Sequence, residues 1–283
     1  HTHGGKKDKE QLDAIFSSAS HLVIEAPAGY GKTRTMVSKI AYMITTGQVP
    51  YPKKILALTF SINAAFKIRR DIGNELPSIL SASDALSQNS KEIVYVTNYH
   101  GLCRRILGNY GYLISQELGQ IDILKGIGIN YRTLQDRKLG LTNRETEILL
   151  QYSQFVTKAA QKDNVSDVRQ HLKENTDQYL QIVKEKFLTK GQLPFDAILL
   201  FTLQLFKKHP EIRKFYRIFF HTIIVDEFQD TNILQWTLLK DIVGRSDETQ
   251  NSLFVLGDRN QKIYEFIGAM EGIIDTAKSH FNM

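Results

Sequence analysis

Apolar residues recur along the chain in two rhythms, and the alternation between them lays out the fold. Short, nearly unbroken apolar runs at 22–24, 55–60, 93–96, 223–225 and 253–256 have the length and β-branched content of strands covered on both faces. Between them the apolar positions are spaced by three and four. Leu12, Ile15 and Phe16 predict a short helix ahead of the first strand. Met36, Val37, Ile40, Ala41 and Ile44 predict a second that ends near Gly47. A third is expected over 64–76, stopping before Pro77, with the Ser-, Asn- and Asp-rich stretch 78–90 as a loop. From 109 to 190 the strand signals largely vanish. There Thr142 and Glu145 form a capping box ahead of a helical pattern, and a further helix is expected over 176–188, ending at Gly191. A helix over 198–206 is closed by Pro210, which starts the next as its first-turn residue. The pattern predicts an α/β fold with a parallel sheet, built from 1–108 and 191–283, and an inserted all-helical subdomain over 109–190.

Composition narrows the class without naming a function. With 42% hydrophobic residues in 283, the chain can bury a substantial core as one large domain or two small ones. A net charge of +6 and a pI near 9.2 permit a polyanionic partner. The single cysteine, Cys103, excludes an internal disulfide, disfavours a structural zinc site and fits a reducing compartment. No apolar run approaches a membrane span and the first ten residues are polar, so a cytoplasmic location is expected.

Chemistry concentrates at the ends of the predicted strands. Ala26-Pro27-Ala28-Gly29-Tyr30-Gly31-Lys32-Thr33 lies between the first strand and a helix, as a phosphate-binding loop does. Small residues at Ala26, Gly29 and Gly31 let backbone N–H groups converge on a β-phosphate. Lys32 would reach the β- and γ-phosphates and the Thr33 hydroxyl would ligate Mg²⁺. The 223–225 run leads straight into Asp226-Glu227-Phe228-Gln229-Asp230, putting paired carboxylates where open parallel sheets hold their ligands. Asp226 would hold Mg²⁺ through water, and Glu227 would orient and deprotonate the attacking water. Strand-terminal acids also serve as helix caps, and Asp230 or Thr231 is a candidate cap for a helix over 233–242. After the last strand, Gln261 is placed to sense the γ-phosphate. Tyr264 and Phe266 follow it as core residues or base-stacking platforms.

Taken in order, Gln11, APAGYGKTR, ALTFSINAA, TNYHGLCRRIL, LPFDAILLF, IIVDEFQDTN and VLGDRNQKIYEFIGA resemble superfamily 1 DNA helicases of the UvrD/Rep type, over nearly the whole chain from Lys9 to Ala269. The resemblance implies a RecA-like P-loop NTPase domain (1A) carrying a helical insertion (1B), with ATP and Mg²⁺ as cofactors. It implies that Gln11 reads adenine with Arg34 beside the base, and that Phe60, Asn98, His100, Tyr264 and Phe266 contact DNA. The implied activity is ATP-driven 3′-to-5′ translocation on single-stranded DNA or at a duplex junction. A second RecA-like domain, which in the family supplies arginines to the γ-phosphate, is not recognisable after Ala269. The expectation is therefore an N-terminal portion that binds ATP but hydrolyses it poorly. The chain departs from the family pattern at Ser61-Ile62-Asn63 (usually Thr-Asn-Lys), Asn98 (Thr), Gly101 (Ser) and Ile267 (Arg). These departures touch only the DNA half, and they motivate the alternative of a helicase-fold regulatory subunit without unwinding activity.

Overall fold

The computed structural model describes residues 8–79, 92–135, 139–158, 165–244, 251–261 and 268–283. Helix α1 (Asp8–Phe16) leads into β1 (His21–Glu25) and α2 (Lys32–Thr45), followed by β2 (Lys54–Thr59), α3 (Ile62–Ile79), β3 (Val94–Asn98) and α4 (Tyr99–Tyr110). Next come β4 (Lys125–Ile127), α5 (Tyr131–Leu134), α6 (Asn143–Lys158), α7 (Val165–Lys186) and β5 (Gln192–Pro194). The chain then forms α8 (Phe195–Lys208), α9 (Pro210–Phe219), β6 (Phe220–Val225), α10 (Ile233–Val243), β7 (Ser252–Gly257) and α11 (Ile273–Phe281).

The five longer strands pair in the order β1-β7-β6-β2-β3, all parallel. Because side chains alternate across a strand, each strand feeds two separate apolar layers. Ile55, Ala57, Val96, Ile224 and Phe254 pack with Met36, Val37 and Ile40 of α2 and Ala65, Ile68 and Ile72 of α3. Leu56, Leu58, Ile223, Val225, Leu253 and Val255 face the other way. They share a cluster with α4, α8, α10 and α11 that continues unbroken to Tyr152, Tyr179 and Val183 of α6 and α7. The Tyr152 and Tyr179 rings stack at 4.3 Å, and the Tyr152 hydroxyl lies 2.8 Å from that of Thr176. Helices thus cover both sheet faces, as the continuous apolar runs require.

Local rules hold at most boundaries and fail at a few. The Thr142 amide donates to the Glu145 carboxylate at 2.7 Å while the Glu145 amide donates to the Thr142 hydroxyl at 3.2 Å, completing the expected capping box. Helix α3 does not stop before Pro77 but runs to Ile79, since a proline near a helix end costs only one backbone bond. Most of the expected loop at 78–90 lies outside the described residues. Helix α7 begins at Val165, well before the expected 176, because its first turns are polar and carry little periodic signal. The helical stretch also contains β4, a three-residue strand pairing in parallel with β5 and too short to show a periodicity. The cap of α10 is neither Asp230 nor Thr231. The Asn232 side chain accepts from the Leu234 and Gln235 amides, and the Asn232 amide donates to Gln235 Oε1.

Candidate functional site

The loop after β1 is contacted from two flanks, by Gln11 of α1 and by Asp258 after β7. Gly29 and Gly31 have φ of 77° and 78°, left-handed values that side-chain-bearing residues avoid. A Cβ on Gly31 would lie 3.2 Å from Nε2 of Gln11, which donates to the Tyr30 carbonyl at 2.8 Å. Gln11 therefore reaches the loop from α1, 20 residues upstream of Gly31. Lys32 is 8% exposed, and its ammonium folds over the loop to donate to the Ala26 carbonyl at 3.0 Å. Pro27 contributes its carbonyl at 3.5 Å. The backbone amide of Ala28 donates to the Asp258 carboxylate at 3.0 Å. Tyr30 and Arg34 are exposed at the mouth.

β6 lies two strands from β1, separated by β7, and its end supplies the acids. Thr33 Oγ1 donates to Asp226 Oδ2 at 3.2 Å, so the two expected Mg²⁺ ligands meet across the sheet. Burial, then the neighbouring Glu227, pushes the Asp226 carboxyl up to about 6 against the Glu227 amide, Thr33 and Lys32. This pair of hard oxygen donors suits a small divalent cation that takes its remaining ligands from phosphates and water. Among the described residues no group of three or more His, Cys, Asp or Glu forms a protein-only cage, which such a cation does not need. Glu227 sits in the left-handed region at φ 51°, an uncommon state for a side-chain-bearing residue and one that clusters at functional sites.

Two residues given no role by sequence reasoning link these parts. Gln229 donates to the Glu227 carboxylate at 2.8 Å and accepts the Asp258 amide at 3.0 Å. Asp258 in turn holds Ala28, the Asn260 amide at 3.0 Å and, through its carbonyl, the Gln261 amide at 3.1 Å. One chain of bonds therefore joins the phosphate loop, the candidate base and the start of the Gln261 loop. Arg259, between them, is bidentate to Glu25 and Asp275, and with Lys278 it draws the Glu25 carboxyl down to about 2. Both linking residues stood in quoted motifs. Only the geometry reveals what they touch.

The proposed DNA contacts are more scattered. Phe60 is half-buried at the end of β2. Asn98 is engaged as the cap of α4, accepting the Gly101 amide at 2.7 Å. A Cβ at position 101 would lie 2.3 Å from Thr97 Oγ1, so a side chain there requires the Thr97 hydroxyl to turn away. His100 is held neutral, its pKa lowered to about 4 by burial and then by Arg104. Its ring meets that of Phe195 edge-on at 5.8 Å, and Phe195, unremarked in the sequence, is 47% exposed. Tyr264, Phe266 and Ile267 lie outside the described residues.

This arrangement can be compared with known proteins. The family model for the UvrD/REP helicase N-terminal domain matches residues 7–282. The chain belongs to the UvrD/REP helicase family. It is 30% identical over 274 residues to the ATP-dependent DNA helicase PcrA of Bacillus subtilis (strain 168), covering 92% of this chain and 33% of that protein. It is 27% identical to PcrA of Staphylococcus aureus (strain Mu50), with 96% and 36% covered, and 28% identical to PcrA of Leuconostoc citreum, with 97% and 35% covered. The chain thus spans about a third of the length of the curated relatives it matches. For this member of the UvrD/REP family, the five-stranded parallel sheet is the RecA-like core.

Proposed function

We propose that this chain is the ATP-binding motor domain 1A, with 109–190 as its helical subdomain 1B, of a protein that moves 3′-to-5′ along single-stranded DNA by hydrolysing ATP. The observation that carries the reading is the Thr33–Asp226 contact at 3.2 Å, which unites the loop lysine, the metal-ligand pair and Glu227 in one crevice. Lys32 leaves its carbonyl partners for the β- and γ-phosphates. Gln11 and Arg34 hold the adenine, and Thr33 with Asp226 hold Mg²⁺, which supplies charge neutralisation on the phosphates when bound. Glu227, aimed by Gln229, takes the proton of the attacking water. Because Gln229 also bonds the Asp258 amide, a change at Glu227 reaches the loop of Gln261, Tyr264 and Phe266, where the phosphate state is passed to the DNA. Phe60, His100 and Phe195 complete that DNA surface, and Asn98 serves it by fixing the start of α4. The curated relatives are roughly three times as long, which leaves room for the second RecA-like domain the reading requires. The intact ATP crevice and relatives named as ATP-dependent helicases weigh against a regulatory subunit.

The test is DNA-stimulated hydrolysis by the protein that carries this domain. Glu227→Gln is expected to lower turnover by about 10²- to 10⁴-fold, the usual contribution of a positioned base, with ATP affinity retained. Unchanged turnover in that variant would remove Glu227 from the chemistry and the motor reading with it.

A further inference from the structure

Helix α3 starts directly after Phe60, capped by Ser61, whose hydroxyl oxygen accepts the Ala64 amide at 3.1 Å. Its inward face is buried through Ala65, Ile68 and Ile72. Its outward face carries more than polar residues. Ile62 and Phe66 are 62% and 60% exposed, and at a spacing of four they are surface neighbours about 5–6 Å apart. Asn63, Lys67, Arg69 and Arg70 are exposed beside them. The Arg69 guanidinium lies 5.6 Å from the centre of the Phe66 ring and donates to the Val96 carbonyl at 2.7 Å. The ring is thus backed by a cation that is itself tied to the edge strand β3.

We propose that Phe66, flanked by Ile62, is a stacking position for an unpaired nucleobase, carrying the strand from Phe60 along α3 while Lys67 and Arg70 face its phosphates. The inference rests on reading the chain as a single-strand DNA motor. Charge selects this occupant over a protein segment. Lys67, Arg69 and Arg70 stand against one described acid on this face, Asp71, which pairs with Arg70 at 3.6 Å. A ligand that is anionic on one side and flat and apolar on the other fits both rows, as single strands do. The row also accounts for a departure in the sequence. The lysine expected three residues after Phe60 is Asn63, and a cation stands one helical turn further on, at Lys67. The phosphate contact is displaced along the helix.

The experiment is fluorescence anisotropy of a labelled oligo-dT with the whole 283-residue chain, without nucleotide, across a salt series. Phe66→Ala is expected to weaken binding about tenfold, as for loss of one base stack, with the salt slope unchanged; Phe66→Tyr should restore it. The Lys67→Ala/Arg70→Ala pair should make the slope shallower by about 1.4, at about 0.7 per phosphate on a single strand. Binding that Phe60→Ala weakens but Phe66→Ala leaves intact overturns the α3 assignment and spares the motor reading. No oligo-dT binding by the wild-type chain likewise overturns the α3 assignment, whereas the motor reading stands or falls on the Glu227→Gln turnover test. If Phe66→Ala instead abolishes self-association seen in sedimentation, with DNA affinity unchanged, the strip is a protein interface and the proposal fails.

Discussion

Asp196, at the first turn of α8, illustrates how far one side chain can govern behaviour away from the proposed ATP crevice. Burial pushes its carboxyl up to about 6, opposed only by the Ser153 hydroxyl at 3.4 Å. Between the ordinary aspartate value and 6, the unfolded chain has lost this proton while the folded chain still holds it. Stability from this site is therefore fully present below about pH 4 and is lost as pH rises through 6. At about 1.4 kcal/mol per pH step, the loss reaches about 3 kcal/mol at most. Asn in place of Asp196 keeps a donor and acceptor without the charge. Urea unfolding at pH 5 and pH 8 should show Asp196→Asn gaining about 1 kcal/mol on the wild type across that interval. Parallel pH dependence of the two proteins would show that the carboxyl ionises freely in the folded state.

At the scale of elements, the decisive contact is the docking of α1 on α2. Lys39 is 4% exposed, and its ammonium donates to the Ser17 carbonyl just past the end of α1 at 2.7 Å, where helix carbonyls favour a cation. It also lies 4.7 Å from the centre of the Phe254 ring, and Phe16 meets Tyr42 edge-on at 5.0 Å. These contacts hold α1 where Gln11 reaches the phosphate loop. Lys39→Met, which keeps the stem and drops the charge, is expected to raise the Kd for ATP several-fold and to blunt discrimination against GTP. In a double-mutant cycle with Gln11→Ala the effects should be clearly less than additive, and full additivity would separate Lys39 from base reading. None of this was legible in the sequence, where Lys39 looks like a solvated residue on a helix. What was legible were features written in neighbouring residues: five apolar runs, the Thr142–Glu145 box, Pro210 at a helix start, and the loop from Ala26 to Thr33. The early start of α7 and the β4–β5 pair depend on polar turns without periodicity or on partners distant in sequence, whereas the Asn232–Gln235 box was written locally and simply passed over. For the same reason the acids at 226 and 227 could be read, whereas the bridge through Gln229 and Asp258 could not.

For the whole molecule, the sheet gathers the described residues of the proposed ATP crevice on a single RecA-like layer. The loop after β1 contributes Lys32 and Thr33, the loop after β6 Asp226 and Glu227, and the loop after β7 Asp258, the proposed phosphate, metal and base positions and the residue that braces them. The nearby Arg259 is already bound to Glu25 and Asp275. Transition-state charge on a transferring phosphoryl group commonly needs an arginine from outside such a layer, worth about 10³- to 10⁵-fold in rate. Binding and turnover should therefore separate in the 283-residue chain. With Mg·ATP at a hundred times its Kd, binding to the folded state alone stabilises by about 2.7 kcal/mol, which for a chain of this size raises Tm by about 5 °C or more. Lys32→Ala should erase that shift, and EDTA should reduce it by removing the cation shared by Thr33, Asp226 and the phosphates. Under the same conditions, hydrolysis with excess oligo-dT should remain far below one turnover per second. A Tm indifferent to Mg·ATP would mean that the crevice does not take the nucleotide, whereas rapid DNA-stimulated turnover would mean that this layer completes the chemistry without a second domain.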